Sequence, residues 1–254
     1  MAVRPMTPSR KGPEALVVAA AGAGLGWVVG VLLHPVVGTV MAIVGGLNGA
    51  VSGWRRVYAW RTPEGVLAFL VDSTWASLPT AVGLLAHLAA VRRGGYDASL
   101  SVRQNRHVYR RGAYLQRGMS LTIGNVISSA GDLGAASRRR LITDHEAVHV
   151  WQARAFGPLY LPLYGLWSGG GAVAGTILWV RRGRREPVGK LIESCSYYLN
   201  PFEWWAYSRQ DYWPPAGKVA GLGWKRPAAR PLAAVRAARA GLAAEVAGEQ
   251  HAGD

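Results

Sequence analysis

His145-Glu146-Ala147-Val148-His149 is the segment of this chain best suited to chemistry. On a helix of about 3.6 residues per turn, imidazoles four positions apart point to the same side and can share one metal ion. Glu146 stands beside the first imidazole, within reach of a metal-activated water. With His 6 in 254 residues, chance supplies such a pattern roughly 0.004 times in a chain of this composition, so the spacing carries information. Zn2+ held there would lower the pKa of its water toward about 7, and Glu146 would take the proton as general base and return it to a leaving amine. The expected reaction is peptide-bond hydrolysis.

A catalytic zinc needs three protein ligands, and Ala155 occupies the place where a third histidine could follow six residues after His149. A downstream glutamate is then the natural third ligand. Glu203, in Asn200-Pro-Phe-Glu-Trp-Trp-Ala-Tyr207, is the first choice and Glu193 the alternative. Asn200 as N-cap and Pro201 at the first helical position leave a further reading of Glu203, as a capping-box partner of the Asn200 N–H.

These groups must be presented by a helix, and Ser137 suits its N-cap, with Gly157-Pro158 as its stop. Upstream, His107-Val-Tyr109, Gly112 to Leu115 and Leu121 to Ser128 are β-branched or aromatic runs that predict two or three antiparallel strands. The edge of the last could take a peptide substrate as an added strand. His107 reads either as a further ligand or as an ordinary sheet histidine, and Asn125 either as an oxyanion partner or as a structural hydrogen-bonder. Cys195 has no neighbouring pattern that would activate a thiol, and one cysteine excludes a disulfide framework.

Residues 15–53 carry no charge, a run about twice as long as the roughly 20 residues one membrane span requires. It predicts a helical hairpin turning at His34-Pro35 rather than a cleaved leader, whose apolar core is shorter. Gly22, Gly26 and Gly30, then Gly45, Gly49 and Gly53, mark one face of each arm, a glycine zipper. Arg4, Arg10 and Lys11 precede the hairpin and Arg55, Arg56 and Arg61 follow it, which puts both clusters on the cytoplasmic side. The formal net charge of +15 would also suit nucleic acid. Because the basic residues flank apolar segments, anionic membrane lipids are the expected partner and no nucleic acid is. Arg138, Arg139 and Arg140, cations in the first turn of the motif helix, suit lipid headgroups or plain solvent.

The organisation expected is a basic tail over 1–13, the hairpin anchor over 14–53, interfacial or membrane-dipping helices over 54–98, an H-E-x-x-H catalytic domain over 99–225 and an Ala/Arg-rich tail over 226–254. The fold class is α+β, a small mainly helical metallopeptidase-like domain with a short antiparallel sheet behind the anchor.

His145-Glu-Ala-Val-His-Val-Trp-Gln152 followed by Asn200-Pro-Phe-Glu resembles the gluzincin type of zinc metallopeptidase, and more closely uncharacterised bacterial membrane-associated proteins that pair an H-E-x-x-H-x-x-Q helix with an Asn-Pro-x-Glu helix. The resemblance covers Arg103 to Trp213. It implies His145, His149 and Glu203 as zinc ligands, Glu146 as catalytic base and a peptide or protein substrate at the cell membrane. The gluzincin pattern Glu-x-x-x-Asp has Tyr207 here instead of the acid, so Asp211 or a backbone carbonyl is expected to orient His145. Ligands on one side of a membrane forbid a single span over Pro158 to Val180, and Gly169-Gly170-Gly171 predicts a re-entrant or membrane-packed hairpin there. A catalytically idle membrane scaffold with a structural metal is the competing function.

Overall fold

The computed structural model describes residues 11–114, 118–215, 217–219 and 221–252, and the chain forms two compact units, Met1–Pro162 and Leu163–Asp254. The basic tail over 1–13 falls mostly outside the described residues.

In the first unit, α1 (Lys11–Val31) and α2 (Pro35–Arg55) are the predicted hairpin, and both are long and apolar enough to cross a membrane. His34 caps α2, its ring accepting from the Val36 N–H at 3.2 Å, and Pro35 occupies the first turn where a missing N–H costs nothing. Gly22, Gly26 and Gly30 are the buried face of α1, together with Val18. A Cβ on Gly22 would collide with the Gly45 backbone, and one on Gly26 with that of Met41, so only glycine permits this approach. Glu14 in the first turn of α1 accepts from both Arg103 guanidinium nitrogens at 2.6 and 2.9 Å and from the Trp60 indole at 2.9 Å, which ties the hairpin's open end to the rest of the unit.

The next apolar stretch is two helices, α3 (Pro63–Ser73) and α4 (Ser77–Val91), which meet at 90°. Thr62 caps α3 and Pro63 opens it. The bend falls at Thr74-Trp75-Ala76, before Pro79 can take its place in the first turn of α4.

Three strands follow, β1 (His107–Val108), β2 (Leu121–Ile123) and β3 (Val126–Ser128), in the order β1-β3-β2. The antiparallel expectation holds only for β2 and β3, which pair Leu121 with Ser128 and Ile123 with Val126. β1 runs parallel to β3. The stretch 121–128 is not one strand, because Gly124, at φ +57°, turns it back on itself where a Cβ would strike the Pro79 backbone. This hairpin places β3 in the centre, buried throughout, and leaves β1 the far edge. Gly112 to Tyr114 form no strand, and Leu115 lies outside the described residues.

The motif helix is continuous from Ala136 to Phe156 but not uniform: α5 (Ala136–Arg140), a π-helical turn (Leu141–Glu146) and α6 (Ala147–Phe156). Its N-cap is Ala135, with no side-chain capping bond, and Ser137 lies inside the first turn. Gly157, at φ 51°, ends it as predicted. Ile142 and Val150 on this helix pack with Leu100, Val108, Ile127, Ala130 and Leu133 into one core cluster between helix and sheet.

In the second unit, the expected hairpin at Gly169-Gly170-Gly171 does not form. α7 (Tyr160–Arg181) is a single helix of 22 residues that begins at the end of the first unit, and its glycines serve packing instead of turning. A Cβ on Gly171 or Gly175 would meet the backbone at Cys195 or Leu191. The chain reverses after Arg181 and returns along α7 through α8 (Val188–Glu193), a π-helical turn (Ser194–Tyr198) and α9 (Pro201–Gln210). The Ala/Arg-rich segment forms α10 (Leu232–Ala252).

Candidate metal centre

Within the first unit the two motif histidines are nearly sealed from solvent, at 1% (His145) and 5% (His149) exposure. Their Nε2 atoms lie 3.2 Å apart and their rings are nearly perpendicular, at 79°. Two nitrogens bound tetrahedrally to one zinc, each at about 2.0–2.1 Å, would be separated by about 3.3 Å. The His145–His149 spacing therefore fits a shared ion without rearrangement. The π turn that precedes it, in which the Ala147 N–H reaches back to the Ile142 carbonyl, is a rare form that concentrates at functional sites.

Gln152 supplies the second half of the His149 geometry. Its buried amide oxygen lies 2.8 Å from His149 Nδ1, so Nδ1 carries the hydrogen and donates it, leaving the Nε2 lone pair for a metal. Tyr160 Oη stands 3.5 Å from the same Nδ1. Three residues on from His149, Gln152 returns to the same face of α6, so the spacing of the two residues was the signal that could have found this contact.

Glu146 is 6% exposed, and its Oε2 accepts from the Thr122 hydroxyl at 2.6 Å. That hydroxyl fixes the carboxylate from β2, the edge strand whose other side has no partner strand among the described residues. Sequence reasoning missed Thr122, because nothing in the motif signals which strand residue will face it.

In the second unit Glu203 sits in the first turn of α9 at 2% exposure, its Oε1 accepting from Tyr164 Oη at 2.7 Å. The capping-box reading fails: Asn200 caps α9 by itself, accepting from the Phe202 N–H at 3.1 Å, and its own N–H is bonded to the Tyr197 carbonyl. Tyr164 also stacks on Phe202, ring centroids 5.9 Å apart, which holds the phenol toward α9. Burial first, then the Glu203 carboxylate, drives the Tyr197 phenol far above its ordinary range. Glu193 is half-buried at the end of α8, and its charge adds to burial in pushing the Tyr198 phenol up to about 12. Tyr207 joins Tyr197, Tyr198 and Tyr212 in a ring cluster, and Asp211 closes α9 from an exposed left-handed position.

Buried imidazoles at 145 and 149 and a buried carboxylate at 203 are side chains that could hold a metal ion. His107, Asn125 and Cys195 belong to the interior. His107 is fully buried, its Nε2 3.0 Å from Ser52 Oγ, and burial foremost holds its pKa well below the ordinary 6.5. Asn125 donates to Asn48 Oδ1 at 2.9 Å, Cys195 is buried with its thiol pKa raised by that burial, and Arg138 donates to the Ala130 and Ser129 carbonyls. Arg139 and Arg140 are exposed.

Set against known proteins, the chain matches no family model, no curated protein and no solved structure.

Proposed function

We propose that this chain is a membrane-associated zinc metallopeptidase whose ligands are His145, His149 and Glu203 and whose general base is Glu146. The observation that carries the reading is the 3.2 Å approach of the two imidazole Nε2 atoms, with His149 Nδ1 engaged by Gln152. Glu203 is supported as third ligand by its burial, at 2% exposure, and by Tyr164, whose hydroxyl donates to its carboxylate. Its residue type completes the two-histidine, one-glutamate set of hydrolytic zinc sites, and Glu193 lacks the same burial.

Zinc, when bound, supplies a Lewis acid and brings a water near neutrality in pKa. Glu146, held by the Thr122 hydroxyl, would be the general base, accepting a proton from the attacking water and returning it to the leaving amine. The edge of β2, which no strand covers among the described residues, would take an extended peptide as an added strand beside the base. The hairpin α1–α2 serves as a glycine-zipper anchor in the cell membrane. The arginines at its open end support a cytoplasmic location for the remaining chain, beside anionic lipids.

The burial of the ligands also favours a second reading, a structural ion in an idle scaffold. Two measurements divide the readings. Elemental analysis of detergent-purified protein should find zinc near one per chain, lost in His149→Ala and in Glu203→Ala. Glu146→Gln should keep the zinc and abolish cleavage of an unfolded casein probe. No zinc in folded wild type ends both metal readings, and zinc without any casein cleavage leaves the scaffold.

A further inference from the structure

A groove of about 480 Å³ opens between the end of α2 and α4, well away from the histidine motif in sequence and within the first unit. Its volume lies inside the range of about 300–1,000 Å³ usual for small-molecule sites. Ala50, Val51 and Trp54 of α2 and Leu88 and Val91 of α4 make it apolar, while Arg55 and His87 supply its polar end.

Arg55 is the unusual member. It is half-buried, and its guanidinium lies over the Tyr96 ring at 3.8 Å and the Tyr109 ring at 5.4 Å. Neighbouring Arg56 meets Glu14, but no carboxylate pairs with Arg55 among the described residues. A partly desolvated cation beside apolar walls gains most from an anion brought by a ligand. His87 is 5% exposed, and its Nδ1 lies 2.7 Å from Tyr109 Oη while its Nε2 has no hydrogen-bond partner. The His87 ring packs edge-on against that of His107, centroids 4.3 Å apart, so it closes the polar end of the groove and leaves Arg55 as the group that meets a ligand.

The position of the groove adds the chemical class. Arg55 is the last residue of a helix long and apolar enough to cross a membrane, the position at which a guanidinium would meet lipid headgroups, and Trp54 and Leu88 of the same groove are exposed.

We propose that this groove binds one anionic phospholipid, its phosphate on Arg55 and an acyl chain along Val51, Leu88 and Val91. The site is independent of the metal centre and requires only that the hairpin sits in a bilayer.

The test is native mass spectrometry of the full chain in dodecyl maltoside, supplied with phosphatidylglycerol, with phosphatidylcholine of the same acyl chains, or with palmitate. Wild type should retain one phosphatidylglycerol and release phosphatidylcholine. Arg55→Gln should weaken retention about tenfold, the usual size of a lost charge-assisted contact. Leu88→Trp, a change at an exposed lining position that leaves the helix core alone, should weaken it by filling the groove. Equal retention of the two phospholipids, retention unchanged in both variants, or palmitate held in place of phosphatidylglycerol would each overturn the proposal. Zinc content measured on the same samples reports the metal centre separately.

Discussion

Arg154 and Asp72 form a two-pronged ion pair, with guanidinium Nε and Nη2 each 2.8 Å from a carboxylate oxygen and both side chains no more than 3% exposed. The pair joins the motif helix, five residues past His149, to the last turn of α3. It sits in a polar interior where Tyr58 Oη donates to Asp72 at 3.0 Å and Arg154 also donates to the Asn105 carbonyl at 2.6 Å. Removing one charge strands the other in a low-dielectric site, so Asp72→Ala should destabilise the protein by about 3–5 kcal/mol. Thermal melts in detergent measure this, and the double variant Asp72→Leu with Arg154→Met should recover much of the loss.

Gln152→Leu removes the acceptor that directs His149 Nδ1 and keeps the side chain's volume. Zinc affinity should fall about 10–100-fold with the fold unchanged, as expected when the group orienting a histidine ligand is lost. Competition against a chelator gives the number, and circular dichroism checks the fold.

Thr122→Val is nearly isosteric and deletes the hydrogen bond to Glu146. A bond to a charged acceptor is worth about 1.5–3 kcal/mol, so kcat on an unfolded casein probe should fall about 10–100-fold while zinc content stays at the wild-type level. Equal loss of zinc would mean Thr122 supports the helix rather than the carboxylate.

Gly26→Leu should part the hairpin, since the new side chain would occupy the space of the Met41 backbone. Overpacking of this kind costs about 1–3 kcal/mol or more, and a lower melting temperature with faster proteolysis between α1 and α2 is the expected reading.

The pH dependence follows from His107. Its folded pKa lies well below the unfolded 6.5, so the unfolded chain binds the proton more readily. Its contribution to stability is full above about pH 6.5 and is lost as pH falls below that value, by up to about 1.4 kcal/mol per unit. Melting curves of metal-free protein between neutral and mildly acid pH should show this slope, and His107→Phe should lessen it.

The hairpin was legible because charge-free length, a His-Pro interruption and glycines four apart are local signals, and each maps to one physical act. The motif helix and its Gly157 stop were legible for the same reason, and so was the Asn200 cap. The parallel pairing of β1 was not, since register between strands depends on where Gly124 turns the chain, and that turn is fixed by its fit against Pro79. Gly169-Gly170-Gly171 misled because glycine serves both to break a helix and to bring another backbone close. Only the return of the chain past Cys195 and Leu191 selects the second use. Thr122 and Asp72 lay beyond reach entirely, being brought to the motif helix by tertiary packing from more than twenty residues away in sequence.

Beside the Arg154–Asp72 pair, the Trp75 indole at the elbow of α3 and α4 donates to the Ala155 carbonyl at 3.2 Å, and the ring fills the space beside Gly157 that a side chain would need. The end of the motif helix is thus riveted to the segment just after the α1–α2 hairpin. A soluble fragment beginning near residue 99 would discard the carboxylate, the indole and the elbow together, leaving a bare guanidinium and an open helix end. Expression work on this protein should keep its apolar front half attached.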